Sequence, residues 1–253
     1  MYIVIEGTEG VGKSTQTKLL SMYLDFLGKE VVSTKEPGTP LSPLSMRLRD
    51  VMLNNVYGPE MTSSAREFIS QAIRSIHIEK IVIPALAAGK LLVQDRGMLS
   101  GLAYGEACGN KKEFILSLAE KVCEPSGRNI YQMYDHVVYL RGDPVKGLGK
   151  AISSKQEFSE GDAIEAKGTD FIIEVGKRMD FYSSFFNSKT IDVRGKSIAQ
   201  VFRLITGSLG GEFDNEDALT EFLQPAIKRV LYEQSNDLLD ALTAQAQELD
   251  LGY

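Results

Sequence analysis

A glycine-rich loop near the amino end holds the residues with the clearest potential for chemistry. Residues 7–14 read GTEGVGKS and satisfy the pattern G-x-x-x-x-G-K-[S/T] without deviation. Glycines allow successive backbone N–H groups to turn toward one anion, and a helix that starts in the loop adds its positive end. In this pattern Lys13 reaches the β- and γ-phosphates of a nucleoside triphosphate, and the Ser14 hydroxyl binds Mg²⁺. The predicted triphosphate-binding residues are Gly7, Gly10, Val11, Gly12, Lys13, Ser14 and Thr15.

A second promising pair, Asp95 and Arg96, directly follows the apolar segment Leu91–Gln94. Phosphoryl transfer needs positioning and positive charge more than covalent help, so an arginine at a strand end is informative. Asp95 could hold Mg²⁺ through water, as the second acidic site of P-loop enzymes does, or it could cap a helix. The predicted metal-binding residues are therefore Ser14 and Asp95.

Short apolar segments alternate with longer helical patterns over residues 1–206, and these elements must position the site. The predicted strands are Tyr2–Glu6, Glu30–Ser33, Leu91–Gln94, Val137–Leu140 and Thr190–Asp192. The predicted helices are Lys13–Leu27, Ser64–Leu86, Lys112–Cys123 and Asp170–Phe186. The alternation predicts an α/β P-loop fold with a five-stranded parallel sheet and helices on both faces. Ligands in such folds bind beyond the carboxyl ends of the strands.

The composition excludes several classes of protein. The 253 residues are 43% apolar, which is enough for a core, and carry a formal net charge of −6. No apolar run reaches the length of about 18 residues that a membrane span needs, and an acidic chain is a poor general binder of nucleic acid. The only two cysteines, Cys108 and Cys123, exclude a disulfide scaffold and favour a reducing, cytoplasmic location.

The last 47 residues differ from the rest in charge. Residues 207–253 contain ten acidic and two basic residues, for a net charge of −8. The division predicts a domain over 1–206 and an acidic helical extension over 207–253, joined by the glycine-rich stretch Gly207–Gly211. Helical spacing predicts two amphipathic helices, over 215–232 and 235–249, with Pro225 at a break or a first turn. They would pack on the core or form a dimer contact, and we expect the extension to be dispensable for chemistry.

Several motifs in register resemble the thymidylate kinase family over about residues 1–206. The phosphate loop is EGTEGVGKSTQ at 6–16, TKEPGT at 34–39 resembles T-R-E-P-G-G-T, and 83–96 resembles I-x-P-A-L-x-x-G followed by V-x-x-D-R. Ser100, Ala103 and Tyr104 match D-R-Y-x-x-S-x-x-A-Y-Q, and 162–171 resembles D-R-x-E and D-F. The resemblance implies a homodimeric nucleoside monophosphate kinase that uses ATP and Mg²⁺ to phosphorylate a deoxynucleoside monophosphate, most often dTMP.

The resemblance also implies individual roles in binding the acceptor. Arg96 would bind the acceptor phosphate together with Arg49 or, because the spacing is ambiguous, Arg47. Arg74 would hydrogen-bond the pyrimidine base, the Glu9 carboxylate would meet the 3′-hydroxyl, and Tyr104 would pack on the deoxyribose. The predicted monophosphate-binding residues are Glu9, Glu36, Arg49, Ser70, Arg74, Arg96, Ser100 and Tyr104. Solvated or salt-bridged roles remain the alternatives for these arginines and for Glu9, and a core role for Tyr104.

The sequence departs from the family in where it can supply a catalytic cation. Some members place an arginine in the phosphate loop, where this chain has Gly10, and others supply one from the lid. The lid, predicted over 147–161, contains Lys150 and Lys155, with Lys167 just beyond it, but no arginine. We expect Lys150 to take the role, although a lysine is a point charge rather than a fork. The predicted catalytic residues are Lys13, Asp95, Arg96 and Lys150.

Two further departures affect the base pocket. Ser70 stands where the family usually has an aromatic residue that stacks on thymine, and Gly105 stands where it usually has glutamine. Both changes are expected to enlarge the pocket, so dUMP or a 5-modified dUMP is an alternative acceptor. A guanine-nucleotide switch is disfavoured because the nearest string to N-K-x-D, residues 110–113, ends in glutamate. A catalytically weak nucleotide-binding protein that acts through its tail remains a second alternative.

Overall fold

The computed structural model describes residues 1–154 and 162–250. Its centre is a five-stranded sheet in the order β2-β3-β1-β4-β5, with every neighbouring pair parallel. The strands are β1 Tyr2–Gly7, β2 Val31–Lys35, β3 Leu91–Asp95, β4 His136–Arg141 and β5 Lys189–Asp192. Ile5 of β1 lies opposite Asp95 of β3, and Gly7 lies opposite Leu140 of β4. The parallel sheet confirms the predicted fold and brings the ends of β1 and β3 to one edge.

Ten helices surround this sheet in the part of the chain that the structure describes. They are α1 Lys13–Phe26, α2 Pro43–Leu53, α3 Ser63–His77, α4 Ile83–Ala87, α5 Met98–Ala107, α6 Lys112–Cys123, α7 Pro144–Ser154, α8 Gly168–Ser183, α9 Ile198–Leu209 and α10 Glu216–Asp250. The single helix predicted over Ser64–Leu86 contains a wider π turn, Ile78–Val82, between α3 and α4. Pro84 has no N–H with which to continue the regular pattern across this junction.

Two hydrophobic clusters lie on opposite faces of the sheet. One joins the sheet to α5, α6 and α8, and the other joins it to α1, α9 and α10. The second cluster contains the buried tail residues Leu219, Phe222, Leu223, Ala226 and Val230. The Phe222 ring lies 5.1 Å from the ring of Tyr23 in α1, measured between centroids. The extension therefore packs on the core of its own chain, which is one of the two alternatives that its pattern left open.

The tail is one helix rather than the two predicted from its sequence. Helix α10 runs through Pro225 without a break. Glu221, whose carbonyl loses its partner at this proline, is exposed like Pro225, so water can satisfy that carbonyl. The expected linker is also shorter, because α9 continues through Gly207 and ends at Leu209. The turn is made by Gly210 and Gly211, whose φ angles are 71° and 57°.

Helix α7 occupies the first part of the predicted lid. Gly147 and Gly149 lie inside this helix, which runs from Pro144 to Ser154. The remainder of the predicted lid, including Lys155, lies outside the described residues. As for the membrane, no helix in the described ranges is both long enough and apolar enough to cross a bilayer.

Candidate active site

The phosphate loop connects the end of β1 to the start of α1, as its motif predicts. Gly12, the residue before α1, has a φ of 94°, a left-handed conformation that favours glycine. Gly10 has a φ of 63° and touches the lid helix: a Cβ added there would stand 2.0 Å from the Gly147 carbonyl oxygen. A Cβ on Gly147 would stand 2.2 Å from the carbonyl oxygen of Glu9. The loop and α7 thus meet backbone to backbone.

Lys13 is buried at the centre of this loop, with a relative exposure of 5%. Its ammonium group donates to the Thr8 carbonyl oxygen at 2.5 Å. Burial, together with the positive charge of Arg96, lowers the pKa of Lys13 to about 8, against the opposing effect of Glu9, Asp95 and Glu6. A pKa near 8 still leaves most of the ammonium charged at pH 7, and a phosphate at the loop would raise this pKa, so Lys13 can bind phosphate as a cation.

Ser14 and Asp95 meet where the predictions place a metal. The Ser14 hydroxyl donates to Asp95 Oδ2 at 2.5 Å. The other oxygen, Oδ1, is buried and has no hydrogen-bond partner. Within the described ranges no group of three histidine, cysteine or acidic side chains could hold a metal. One hydroxyl and one incompletely satisfied carboxylate suit Mg²⁺, which keeps several waters and takes other ligands from phosphates.

Arg96 adopts a left-handed backbone conformation at the end of β3, with a φ of 61°. This directs its guanidinium back across the loop, where it donates to the Gly7 carbonyl at 3.0 Å and pairs with Glu9 Oε2 at 2.7 Å. The guanidinium also lies 5.3 Å from the ring centre of Tyr104, whose hydroxyl donates to Glu9 Oε1 at 3.1 Å. Burial opposes the charge, but Glu9 and its neighbours hold the pKa of Arg96 above its usual range.

Glu6 is a site residue that the sequence analysis assigned no role. This fully buried carboxylate accepts bonds from the Gly97 N–H at 2.8 Å, from the Ser100 N–H at 3.2 Å and from the Ser100 hydroxyl at 2.5 Å. Burial raises its pKa, while the bonds from Ser100 oppose the rise. Glu6 therefore fixes the first turn of α5 and, through Ser100, the guanidinium of Arg96 at 3.3 Å. The available signal was a glutamate that ends an apolar strand.

Glu36 and Arg74 form a buried ion pair in the wall of the cavity. Arg74 donates through Nε at 3.0 Å and through a terminal nitrogen at 2.9 Å to the same Glu36 oxygen. His77 Nδ1 lies 3.2 Å from the other oxygen, and its Nε2 lies 2.9 Å from the Thr34 hydroxyl. Burial would raise the pKa of Glu36, but Arg74 and His77 lower it to about 2. Glu36 is thus placed to position Arg74.

Glu67 is a second residue that the sequence analysis missed. Its side chain lines the cavity with a relative exposure of only 4%, and Oε1 accepts a bond from Gln71 at 2.7 Å. Burial raises the pKa of Glu67. A Cβ on Gly105 would stand 2.6 Å from the other oxygen, Oε2. The space beside Gly105 is therefore filled by a carboxylate, which corrects the expectation that this glycine enlarges the pocket. Ser70 lines the cavity as predicted, while Phe68 is 55% exposed and packs against Phe114.

The remaining arginine and lysine candidates differ in whether they line the cavity. Arg49 lines the cavity and donates to the Pro37 carbonyl at 2.9 Å, whereas Arg47 is exposed and does not line it. Of the described lid lysines, Lys150 lines the cavity, while Lys167 lies 5.5 Å from the ring centre of Phe171. These positions favour Arg49 over Arg47 and Lys150 over Lys167.

One cavity of about 1490 Å³ joins the phosphate loop to the acceptor side. It is lined at one end by Gly12, Lys13, Ser14 and Thr15, and at the other by Ser70, Arg74, Gly105 and Asn110. Asp95, Arg96, Ser100 and Tyr104 lie along it, together with Glu9, Gly10 and Glu36. Gly7 and Val11 do not line it, and Val11 packs against the core. The tail residues Leu231, Gln234 and Ser235 do line it, which the sequence analysis did not expect.

Comparison with known proteins gives one consistent result. A family model described as thymidylate kinase matches residues 5–205. The probable thymidylate kinase of Thermococcus kodakarensis is 36% identical over 169 residues, covering 65% of this chain and 77% of that protein. The thymidylate kinase of Francisella tularensis subsp. holarctica, strain LVS, is 32% identical over 209 residues, covering 81% and 92%. A crystal structure of thymidylate kinase from Ehrlichia chaffeensis shares the fold, with a TM-score of 0.61 at 22% identity over 83% of this chain and 97% of that one.

Proposed function

The chain belongs to the thymidylate kinase family, and on that premise we propose that its cavity transfers the γ-phosphoryl group of ATP to the phosphate of dTMP. A phosphate oxygen of dTMP attacks the γ-phosphorus, the bond from that phosphorus to the bridging oxygen breaks, and ADP and dTDP are released. The observation that carries the proposal is one continuous cavity, lined by a buried lysine in a phosphate loop, by the buried Arg74 and by the partly buried Arg96.

The donor phosphates belong at the loop and the acceptor beyond Arg96. Lys13 would leave the Thr8 carbonyl for the β- and γ-phosphates, because a charged partner binds an ammonium more strongly than a carbonyl does. Arg96 would turn from Glu9 toward the phosphates, which frees Glu9 to accept a bond from the 3′-hydroxyl of the acceptor. Tyr104, already bonded to Glu9, would pack on the deoxyribose and oppose a 2′-hydroxyl.

Ser14 and Asp95 would hold Mg²⁺, Asp95 through a water molecule. When bound, this ion supplies positive charge that offsets the β- and γ-phosphate oxygens. Lys150 would add a further positive charge from α7, and its place on the cavity wall supports this role. Arg49 would grip the acceptor phosphate from α2, with its bond to the Pro37 carbonyl fixing its direction.

The acceptor base would lie near Arg74, with Ser70 beside it. No aromatic ring lines the cavity at Ser70, and Phe68 points away from it, so no stacking partner at this position selects thymine. This observation supports dUMP or a 5-modified dUMP as an additional acceptor. Arg74, held by Glu36 and Gln71, would donate to a pyrimidine carbonyl.

We assign the kinase domain to residues 1–206 and an extension to 207–253, a division supported by the end of the family match. We also propose that the chain forms a homodimer, and that it is cytoplasmic, a location that the free thiols of Cys108 and Cys123 support. Light scattering coupled to size-exclusion chromatography would measure the dimer, and a monomer at micromolar concentration would contradict it.

A coupled ADP-release assay tests the reaction. The panel contains dTMP, dUMP, 5-hydroxymethyl-dUMP, dCMP and dGMP with ATP and Mg²⁺. We expect turnover with dTMP, weaker discrimination among the three uracil-type acceptors than against dCMP, and no turnover with dGMP. A folded protein that releases no ADP with any pyrimidine acceptor would contradict the proposal.

A further inference from the structure

The carboxy-terminal helix reaches the donor end of the cavity. Leu231, Gln234 and Ser235 of α10 line the same cavity as Gly12–Thr15 of the phosphate loop. The Gln234 side-chain amide donates to the Thr15 hydroxyl at 3.1 Å, a contact that joins positions 219 residues apart. These tail residues lie in the extension, which the family match does not include. The contact is therefore a feature of this chain.

The position of these residues is set by packing rather than by the contact itself. Five buried side chains between Leu219 and Val230 hold α10 against α1 and α9. Leu231, Gln234 and Ser235 follow at spacings of three and four, so they share one face of the helix. One residue earlier, Glu233 pairs with Lys18 of α1 and with Arg229 at 2.9 Å. Two contacts, from Glu233 and Gln234, thus align the middle of α10 with the first two turns of α1.

The charge of the tail does not exclude a nucleotide from this place. The three lining residues are neutral, and the carboxylate of Glu233, next to Gln234 in the sequence, pairs with two cations. The acidic composition of the extension predicts that it repels nucleotides, but the three residues of α10 that line the cavity are uncharged. An uncharged face can contribute to nucleotide binding, and the expectation that the extension is dispensable for chemistry stays a prediction.

The chemistry of this face suits the nucleoside part of the donor. In a P-loop the residue after the Lys-Ser pair lies at the α-phosphate, from which the ribose and base continue outward. There Leu231 offers apolar surface with a relative exposure of 44%, Gln234 offers an amide, and Ser235 offers a hydroxyl. Apolar contact with a few polar groups is the usual composition of a nucleoside site.

We infer that Leu231, Gln234 and Ser235 form the outer wall of the donor site and bind the nucleoside moiety of ATP. The inference rests on the proposed function for the direction in which ATP lies. It makes the extension part of the donor site, although the five side chains that anchor it lie in the core.

Measurements of equilibrium binding test this inference independently of the kinase activity. Titration calorimetry with the non-hydrolysable analogue AMP-PNP and, separately, with inorganic tripolyphosphate needs no acceptor and no turnover. For Leu231→Ala with Gln234→Ala we expect AMP-PNP to bind about 10-fold more weakly, because apolar contact and one hydrogen bond are lost. Tripolyphosphate, which has no nucleoside, should bind as it does to the unchanged protein.

Gln224→Ala is the matched control, because Gln224 is exposed on the same helix and does not line the cavity. It should change neither affinity, and thermal melting should show that all variants are folded. Unchanged AMP-PNP binding in the double variant, or an equal loss for both ligands, would overturn the inference. A protein that binds AMP-PNP as expected but fails to phosphorylate dTMP would overturn only the proposed function.

Discussion

The donor and acceptor ends of the cavity are built in different ways. At the donor end, the consecutive residues Gly12–Thr15 present backbone groups and one lysine. At the acceptor end, side chains from α2, α3 and α5 converge from positions far apart in the chain, among them Arg49, Arg74 and Tyr104. A site made of consecutive backbone is visible as a motif, whereas a site made of converging side chains depends on the packing of the whole fold.

The two ends also differ in how their cations are held. Arg96 and Arg74 each have a carboxylate partner, Glu9 and Glu36 respectively, whereas Lys13 contacts a neutral carbonyl. Phosphate binding at the donor end therefore displaces a weak partner. At the acceptor end, a phosphate must compete with a carboxylate for the arginine, or it must bind an arginine that keeps its carboxylate partner. This contrast predicts that substitutions at the donor end and at the acceptor end change different kinetic constants.

The largest effect is expected at the donor end. Lys13→Ala should lower kcat by ~100- to 1000-fold, because it removes positive charge that stabilises the transition state. Steady-state ADP release measures it, with exposed Lys121→Ala as the control. A folded Lys13→Ala protein with normal turnover would show that the loop is not the donor site.

A large effect on stability is expected from the acceptor-side ion pair. Glu36→Gln leaves Arg74 buried without its counter-charge and should lower the free energy of unfolding by about 3 kcal/mol at pH 7. Because the pKa of Glu36 is depressed from 4.5 to about 2, its contribution is complete above pH 4.5 and is lost as the pH falls toward 2. Urea unfolding should therefore show a smaller difference between the two proteins at pH 3 than at pH 7. Asp192→Asn, which breaks an exposed ion pair, should have little effect at either pH.

Substitution of Glu67 is expected to have a moderate effect on the use of the acceptor nucleotide and no effect on the use of ATP. As a carboxylate it can accept a bond from the N3–H of a thymine, which cytosine lacks. Glu67→Ala should therefore lower kcat/KM for dTMP about 10-fold and narrow the preference for dTMP over dCMP. The KM for ATP should not change. Protonation of Glu67 removes the carboxylate that accepts the N3–H bond. Because burial raises the pKa of Glu67, kcat/KM for dTMP should fall, as the pH is lowered, at a higher pH than it would with a glutamate of ordinary pKa. An unchanged dTMP-to-dCMP ratio would remove Glu67 from base recognition.

The smallest effect is expected from the lysine of α7 that lines the cavity. Lys150→Ala should lower kcat roughly fivefold, since an exposed point charge contributes about 1 kcal/mol. Lys167→Ala is the control, because its ammonium faces Phe171 instead of the cavity. If the two substitutions have the same effect, Lys150 is not the cation that the lid supplies.

The sequence alone was sufficient to predict those parts of the fold and site that depend on residues close together in the chain. The phosphate loop, the strand alternation and the Asp95-Arg96 pair at a strand end each depend on neighbouring residues, and the structure has the predicted five-stranded sheet. The pattern failed where packing overrides local preference. Pro225 indicated a break, but α10 is continuous through it.

Long-range pairs had no signal in the sequence. Glu67 and Gly105 lie on different helices, and only their contact explains why position 105 has no side chain. In the same way, Gln234 looked like one polar residue among many in an acidic tail. Its proximity to Thr15 follows from the burial of residues 219–230 and not from its own neighbours.

The contact between Gly10 and Gly147 has an evolutionary consequence. An arginine at position 10 would meet the Gly147 carbonyl at its first side-chain atom and would need a backbone conformation that only glycine adopts readily. A lineage with this contact cannot move its catalytic cation from lid to loop by a single substitution, because α7 must withdraw first. We therefore expect relatives that have glycine at one of these two positions to have glycine at the other as well.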